Sequence, residues 1–269
     1  MEITGYILAI LIGLSLGLIG GGGSILTVPV LVYVMHQSPI QATAYSLFVV
    51  GVTSLVGAFS YFKQKKLCYR AAIVFAIPSF IAVFITRSYL MPLMPENIMT
   101  IGNILVTKQL TIMLAFAVLM IVSSYSMIKK NTIPAISDIA FNPSSIKFNY
   151  PLIVLEGLVV GILTGFVGAG GGFLIIPALV LFVGLPMKVA VGTSLMVIAA
   201  KSLVGFTGDV VADLAIDWNF LVLFTAFSLI GIAIGIYYSK HVKEEKLKPA
   251  FGWFTLILGI FIILKELVF

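Results

Sequence analysis

The sequence predicts an all-α polytopic membrane protein made of two inverted repeats, each a glycine-broken re-entrant hairpin followed by three transmembrane helices. Three observations predict it. Hydrophobic residues make up 61% of the 269-residue chain and charged residues 10%, where a soluble domain carries about 25% charge. Two glycine runs, Gly20-Gly21-Gly22-Gly23 and Gly168-Ala169-Gly170-Gly171-Gly172, sit inside apolar stretches. The segment that follows the first run recurs after the second.

In chain order, residues 3–35 form the first hairpin. Apolar residues 3–19 lead to the glycines, and a second short apolar run follows them. Each glycine disfavours helix by roughly 1 kcal/mol relative to alanine, so four in a row break one. A span at 41–62 ends at Lys63-Gln64-Lys65-Lys66, a second runs from 70 to 91 up to Pro92 and Pro95, and a third covers 108–128. These make a first repeat of residues 1–130. The polar residues 131–150 read as a linker. The second repeat, 151–269, has its hairpin at 152–183 and spans at 187–208, 218–239 and 248–268.

Shifted by 148 residues, Gly13, Gly17, Gly20, Gly22, Gly23 and Pro29 fall on Gly161, Gly165, Gly168, Gly170, Gly171 and Pro177. Ser54-Leu55-Val56-Gly57 recurs without a gap as Ser202-Leu203-Val204-Gly205. Of the 45 residues from 13 to 57, 17 are identical to their shifted partners, more than apolar bias supplies, and this marks an internal repeat.

Charge sets the relative orientation. The net charge of +6 comes from cations clustered at Lys63 to Arg70, Lys129-Lys130 and Lys240 to Lys248, between apolar segments. That is the positive-inside pattern rather than a nucleic-acid surface. The basic stretch Lys63 to Arg70 corresponds to an acidic one with Asp209, Asp213 and Asp217, so the equivalent loops belong on opposite sides. Only re-entrant hairpins then leave every strongly basic loop on one side. Residues 173–183 would make only ~17 Å of helix and 152–167 ~24 Å, against a hydrocarbon core of ~30 Å. Residues 3–19 are nearly long enough to cross, so a variant in which that arm spans is also compatible. Both termini are expected outside. Glu2, with no nearby Lys or Arg, argues against a cleaved signal peptide. The single Cys68 rules out an internal disulfide.

Paired helix breaks in corresponding places point to a transporter, with a site near mid-membrane. Freed N–H groups at a helix start form an anion site without formal charge. The expected substrate-binding residues are Gly22, Gly23, Ser24, Ser46, Gly170, Gly171, Gly172, Thr193, Ser194 and Lys201. Lys201 stands inside the span 187–208, where a charge is costly and usually functional, and its repeat equivalent is the uncharged Thr53. The competing reading pairs it with Asp209. Gly13 with Gly17, and Gly161 with Gly165, have the spacing of close helix packing. Glu156, Arg87, Lys108 and Asp138 read as interfacial or loop charges. No P-loop lysine follows the glycines, and His36 and His241 with one cysteine make no metal set. No catalytic constellation is visible, and no cofactor is expected.

The doubled pattern G-x-x-G-[GA]-G-G-[SG]-x-x-x-x-P, at Gly17 to Pro29 and Gly165 to Pro177, resembles the TauE/SafE sulfite-exporter family, also called the toluene-sulfonate uptake permeases. So do Ala44-Tyr45-Ser46-Leu47 and Gly192-Thr193-Ser194-Leu195, although Tyr45 stands where the second copy has Thr193. The resemblance implies a multi-pass carrier of a prokaryotic inner membrane. Its substrates would be small sulfur anions: sulfite, organosulfonates such as sulfoacetate, or thiosulfate. The partners expected are that anion, the lipid bilayer and a coupling ion or proton, with no nucleic acid; a homo-oligomer stays open. The alternatives are a permease for another small anion such as a carboxylate, or an accessory membrane subunit.

Overall fold

The computed structural model describes residues 2–21, 23–101, 104–128, 150–168, 170–181, 183–239 and 244–268. The first hairpin comprises α1 (Glu2–Ile19) and α2 (Ser24–Pro29), which continues as a π-helical turn, Val30–Val34. Helix α3 (Pro39–Lys63) follows, then α4 (Tyr69–Ile85), a second π-helical turn (Thr86–Leu90) and the short α5 (Met91–Leu93). A β-hairpin of β1 (Asn97–Ile101) and β2 (Ile104–Thr107) leads into α6 (Lys108–Ile128). The second half contains α7 (Tyr150–Val167), α8 (Gly172–Leu181), α9 (Met187–Val211), α10 (Trp218–Ser239) and α11 (Glu244–Val268). Apart from Tyr150, the linker 131–150 lies outside the described residues, as do Gly22 and Ala169.

Six helices among the described residues are long and apolar enough to cross a membrane: Pro39–Lys63, Tyr69–Leu93, Lys108–Tyr125, Tyr150–Val167, Lys188–Val211 and Trp218–Ser239. The chain is a multi-pass helical membrane protein. The β-hairpin was not legible in the sequence and adds a small cap to an otherwise helical bundle. Isoleucines such as Ile73, Ile77, Ile81 and Ile85 stand exposed every fourth residue along α4, an apolar face suited to lipid.

Helix directions follow from residue pairs in contact. Gly51 of α3 lies against Leu203 of α9, Gly57 against Leu195, and Gly205 against Leu47, so α3 and α9 run antiparallel. Gly13 of α1 meets Ser228 and Ile232 of α10, and Gly17 meets Ile232 and Ile236, so these two helices run parallel. Gly157, Gly161 and Gly165 of α7 meet Phe75, Ser79 and Thr86 in the same parallel sense. The glycines spaced by four thus serve close backbone packing, and α10 supplies partners of its own in Gly231 and Gly235. Each half's hairpin arm packs on the second helix after the hairpin of the other half: α1 on α10, α7 on α4. Helices α6 and α11 pack together, and their Met113, Phe116, Met120 and Ile262 close over Ile25 and Val28 of α2.

Gly5 packs against Met35, so the arms of the first hairpin begin and end at one end of the bundle. The breaks lie deeper than a midplane turn. Gly20 lies against Val191 near the start of α9, and its repeat equivalent Gly168 lies against Thr43 near the start of α3. Both glycines have positive φ, +78° and +69°, backbone that residues with a Cβ rarely adopt. The arm α7 has 18 residues, about 27 Å of helix, slightly longer than expected from 152–167. Each arm therefore runs almost the length of the bundle before the chain doubles back to the centre.

Candidate functional site

The two breaks meet through their backbones. A Cβ on Gly21 would fall 2.6 Å from the carbonyl carbon of Gly172, and one on Gly172 would fall 2.5 Å from the Gly21 Cα. Gly20, Gly21, Gly23, Gly170, Gly171 and Gly172 are all buried, as is Ser24. The hydrogen-bond ladder of α8 starts with Leu174 and Ile175 donating to the Gly171 carbonyl at 3.0 Å. The amides ahead of Leu174 have no acceptor inside the helix.

Lys201 completes this centre. It lies between Leu195 and Leu203, the two α9 residues whose contacts with Gly57 and Gly51 bracket the α3–α9 crossing. Its repeat equivalent Thr53 lies in the matching interval of α3. The side chain is 1% exposed, and Nζ donates to the Thr164 hydroxyl of α7 at 3.0 Å. That hydroxyl in turn donates a hydrogen bond to the Val160 carbonyl at 2.7 Å. A Cβ on Gly171 would come within 2.6 Å of Nζ, so the ammonium rests directly on the second break. Among the described residues Lys201 has no carboxylate partner; Asp209 pairs with Arg87 instead, which corrects the competing sequence reading.

The hydroxyls divide into two groups. Ser24 donates to the Gly21 carbonyl at 2.7 Å, across the first break. Ser194 donates to Val191 at 2.8 Å and lies 3.4 Å from the Gly20 carbonyl. Ser46 is buried with no hydrogen-bond partner among the described residues. Thr193 is engaged elsewhere: its Oγ1 accepts from the Cys68 amide at 3.0 Å and ties α9 to the start of α4. One residue not proposed from sequence belongs in the centre, Ser202, which like its repeat equivalent Ser54 is buried and has no hydrogen-bond partner among the described residues. Ser202 Oγ lies within 3.4 Å of where a Gly170 Cβ would be. Its signal was the gapless Ser-Leu-Val-Gly repeat.

Arg87 was also misplaced by sequence. It is 1% exposed and issues from the π-helical turn after α4. Its Nη1 donates to Asp209 Oδ1 at 3.2 Å and to the Thr43 hydroxyl at 3.0 Å. Lys108, read as interfacial, is likewise buried.

A helical bundle in which two broken segments meet around a buried lysine, with no carboxylate partner among the described residues, is the architecture of a membrane transporter. The profile described as "Sulfite exporter TauE/SafE" matches residues 6–262, and the chain belongs to that family of membrane transporters. A probable membrane transporter protein of Xylella fastidiosa (strain Temecula1) is 26% identical, over 95% of this chain and 92% of the relative. The probable membrane transporter protein YunE of Bacillus subtilis (strain 168) is also 26% identical, over 89% and 90%. A probable membrane transporter protein of Methanocaldococcus jannaschii is 27% identical, over 77% and 73%. No solved structure matches the chain.

Proposed function

We propose that the chain is a secondary transporter of small sulfur-containing anions, sulfite, an organosulfonate or thiosulfate, working by alternating access in a prokaryotic inner membrane. The observation that carries the reading is the buried Lys201 ammonium resting on Gly171 with a hydroxyl as its partner. A buried cation without a counter-charge is expensive, and an arriving anion relieves that cost. The amides before Leu174, together with the hydroxyls of Ser46 and Ser202, offer further donors to a tetrahedral or pyramidal oxyanion. The family's description as sulfite exporters favours sulfur anions over carboxylates.

The opposite runs of α3 and α9 support the inverted-repeat reading, in which rocking of one half against the other exposes the centre to each side in turn. Lys63 ends α3 and is followed by Lys65, Lys66 and Arg70 at one end, and Asp209 in the last turn of α9 is followed by Asp213 and Asp217 at the other. The positive-inside rule assigns the basic end to the cytoplasm. The cycle involves no catalytic step or resident cofactor, and a proton or ion gradient, or the substrate gradient itself, drives it.

Sulfite flux into vesicles carrying the purified chain tests the reading. Wild type transports sulfite, with sulfonates competing better than acetate, and Lys201→Ala loses at least tenfold in flux, about 1.4 kcal/mol. Equal flux and affinity in the variant would remove Lys201 from the site.

A further inference from the structure

We propose that Arg87 forms a second oxyanion-binding site, set between the Lys201 centre and the acidic end of the bundle, with Asp209 as the resident competitor that the anion displaces. The proposal rests on the transport reading above and adds a second station to its path.

Arg87 leaves most of its donors unused. A guanidinium carries five N–H groups in a planar fork, yet only Nη1 is engaged, by Asp209 at 3.2 Å and Thr43 at 3.0 Å. Nε and Nη2 are buried with no acceptor among the described residues, and Asp209 Oδ2 and Ser88 Oγ are in the same state. An arginine and a carboxylate that serve only structure gain most from two parallel hydrogen bonds. Here the pair is single-pronged. The unused Nε–Nη2 edge is the side-on face of the guanidinium, which matches two oxygens of a sulfite, sulfonate or carboxylate. Leaving such donors unmet is costly, and binding of an anion recovers that cost.

The position suits transit. Thr43, which accepts from Arg87, packs on Gly168 at the start of the second break, and Gly208 of α9 packs on the Arg87 side chain. Lys201 stands seven residues before Gly208 on the same helix, about 10 Å along its axis. Beyond Arg87, toward the end where α9 finishes, the chain carries Asp213 and Asp217, which repel an anion. A cation just inside those carboxylates lowers that barrier. Asp209 neutralises the site when it is empty, and by competing for Arg87 it keeps the anion's stay short, as conduction through successive sites requires. The arrangement is one-sided: the repeat equivalents of Arg87 and Asp209 are Gly235 and Tyr61, so the basic end has no such pair.

Binding of radiolabelled sulfite to the purified full chain tests this. In a Lys201→Ala background a weaker saturable site remains, Asp209→Asn tightens it about tenfold, and Arg87→Gln with Asp209→Asn abolishes it. The neutral pair leaves no stranded buried carboxylate, and Arg87→Lys with Asp209→Asn, which keeps the charge but not the bidentate edge, binds between these limits. A structural ion pair predicts the reverse: Asp209→Asn unchanged or weaker, or sulfite still held without Arg87. Either result overturns the proposal. The transport reading fails separately, if Lys201→Ala binds sulfite as wild type does; absence of saturable binding in every form overturns both.

Discussion

Lys65 and Asp213 occupy the same place in the two repeats and adopt the same left-handed backbone, with φ of 56° and 58°. Each ends its helix in the same turn: Lys65 donates to the Phe62 carbonyl at 2.9 Å and Asp213 to Val210 at 3.2 Å. The following residues repeat the match, Lys66 to Tyr61 and Leu214 to Asp209. One turn is thus built twice, at opposite ends of the bundle, with opposite charge.

Because α3 and α9 run antiparallel, single cysteines at Lys65 and Asp213 in a Cys68→Ala background will be labelled from opposite sides of the membrane. Lys65→Cys reacts from the cytoplasmic side and Asp213→Cys from outside. Labelling of both from one side would break the inverted arrangement.

Left-handed backbone costs a non-glycine residue about 1–2 kcal/mol. Lys65→Gly and Asp213→Gly should therefore each raise the thermal unfolding temperature in detergent, unless lost charge offsets the gain. A fall in both would show that the side chains matter more than the turn.

Gly21 and Gly172 leave no room for a side chain between the two breaks. Alanine at either position should cost about 1–3 kcal/mol through overpacking. The double variant should lose less than the sum, since both methyls press on one contact. Unfolding temperatures equal to wild type would mean the breaks separate readily.

Lys201→Met should keep or raise the unfolding temperature while abolishing anion flux, because a buried ammonium with one hydroxyl partner stabilises nothing. Replacing buried charge by well-packed apolar groups is often neutral or stabilising by about 1–4 kcal/mol. A large loss of stability would give Lys201 a structural role instead.

Breaking the Arg87–Asp209 pair should behave oppositely. Arg87→Met alone strands a buried carboxylate, at about 3–5 kcal/mol, whereas Arg87→Met with Asp209→Leu should recover much of it. Additive losses across the double-mutant cycle would mean the two groups are not coupled.

Much of this was readable beforehand, for physical reasons. Long apolar runs closed by lysines have one stable form in a bilayer, and consecutive glycines cannot continue a helix, so spans and breaks were visible. Depth was not: where α7 ends against Thr43 depends on how the other half packs. Arg87 looked interfacial because it comes near the end of an apolar run; the π-helical turn at Thr86–Leu90 changes the face on which it emerges, and no local composition announces such a turn. Thr193 looked equivalent in role to Ser194, yet its neighbour in space is the Cys68 amide, 125 residues away in the chain. Ser54 and Ser202 were visible as a repeat but not as a chemical feature, because an unpartnered hydroxyl is defined by what surrounds it.

The exchange of partners between halves has a consequence for how the molecule is made. Helix α1 leaves the ribosome well before the α10 on which it packs, and α4 must await α7. A nascent chain stopped after α6 would expose the glycine faces of α1 and the Phe75–Thr86 face of α4 to lipid. Assembly of the first half is therefore deferred until the second is inserted. Co-expressed halves should find each other as a complex, while the first half alone should be a substrate for membrane proteases.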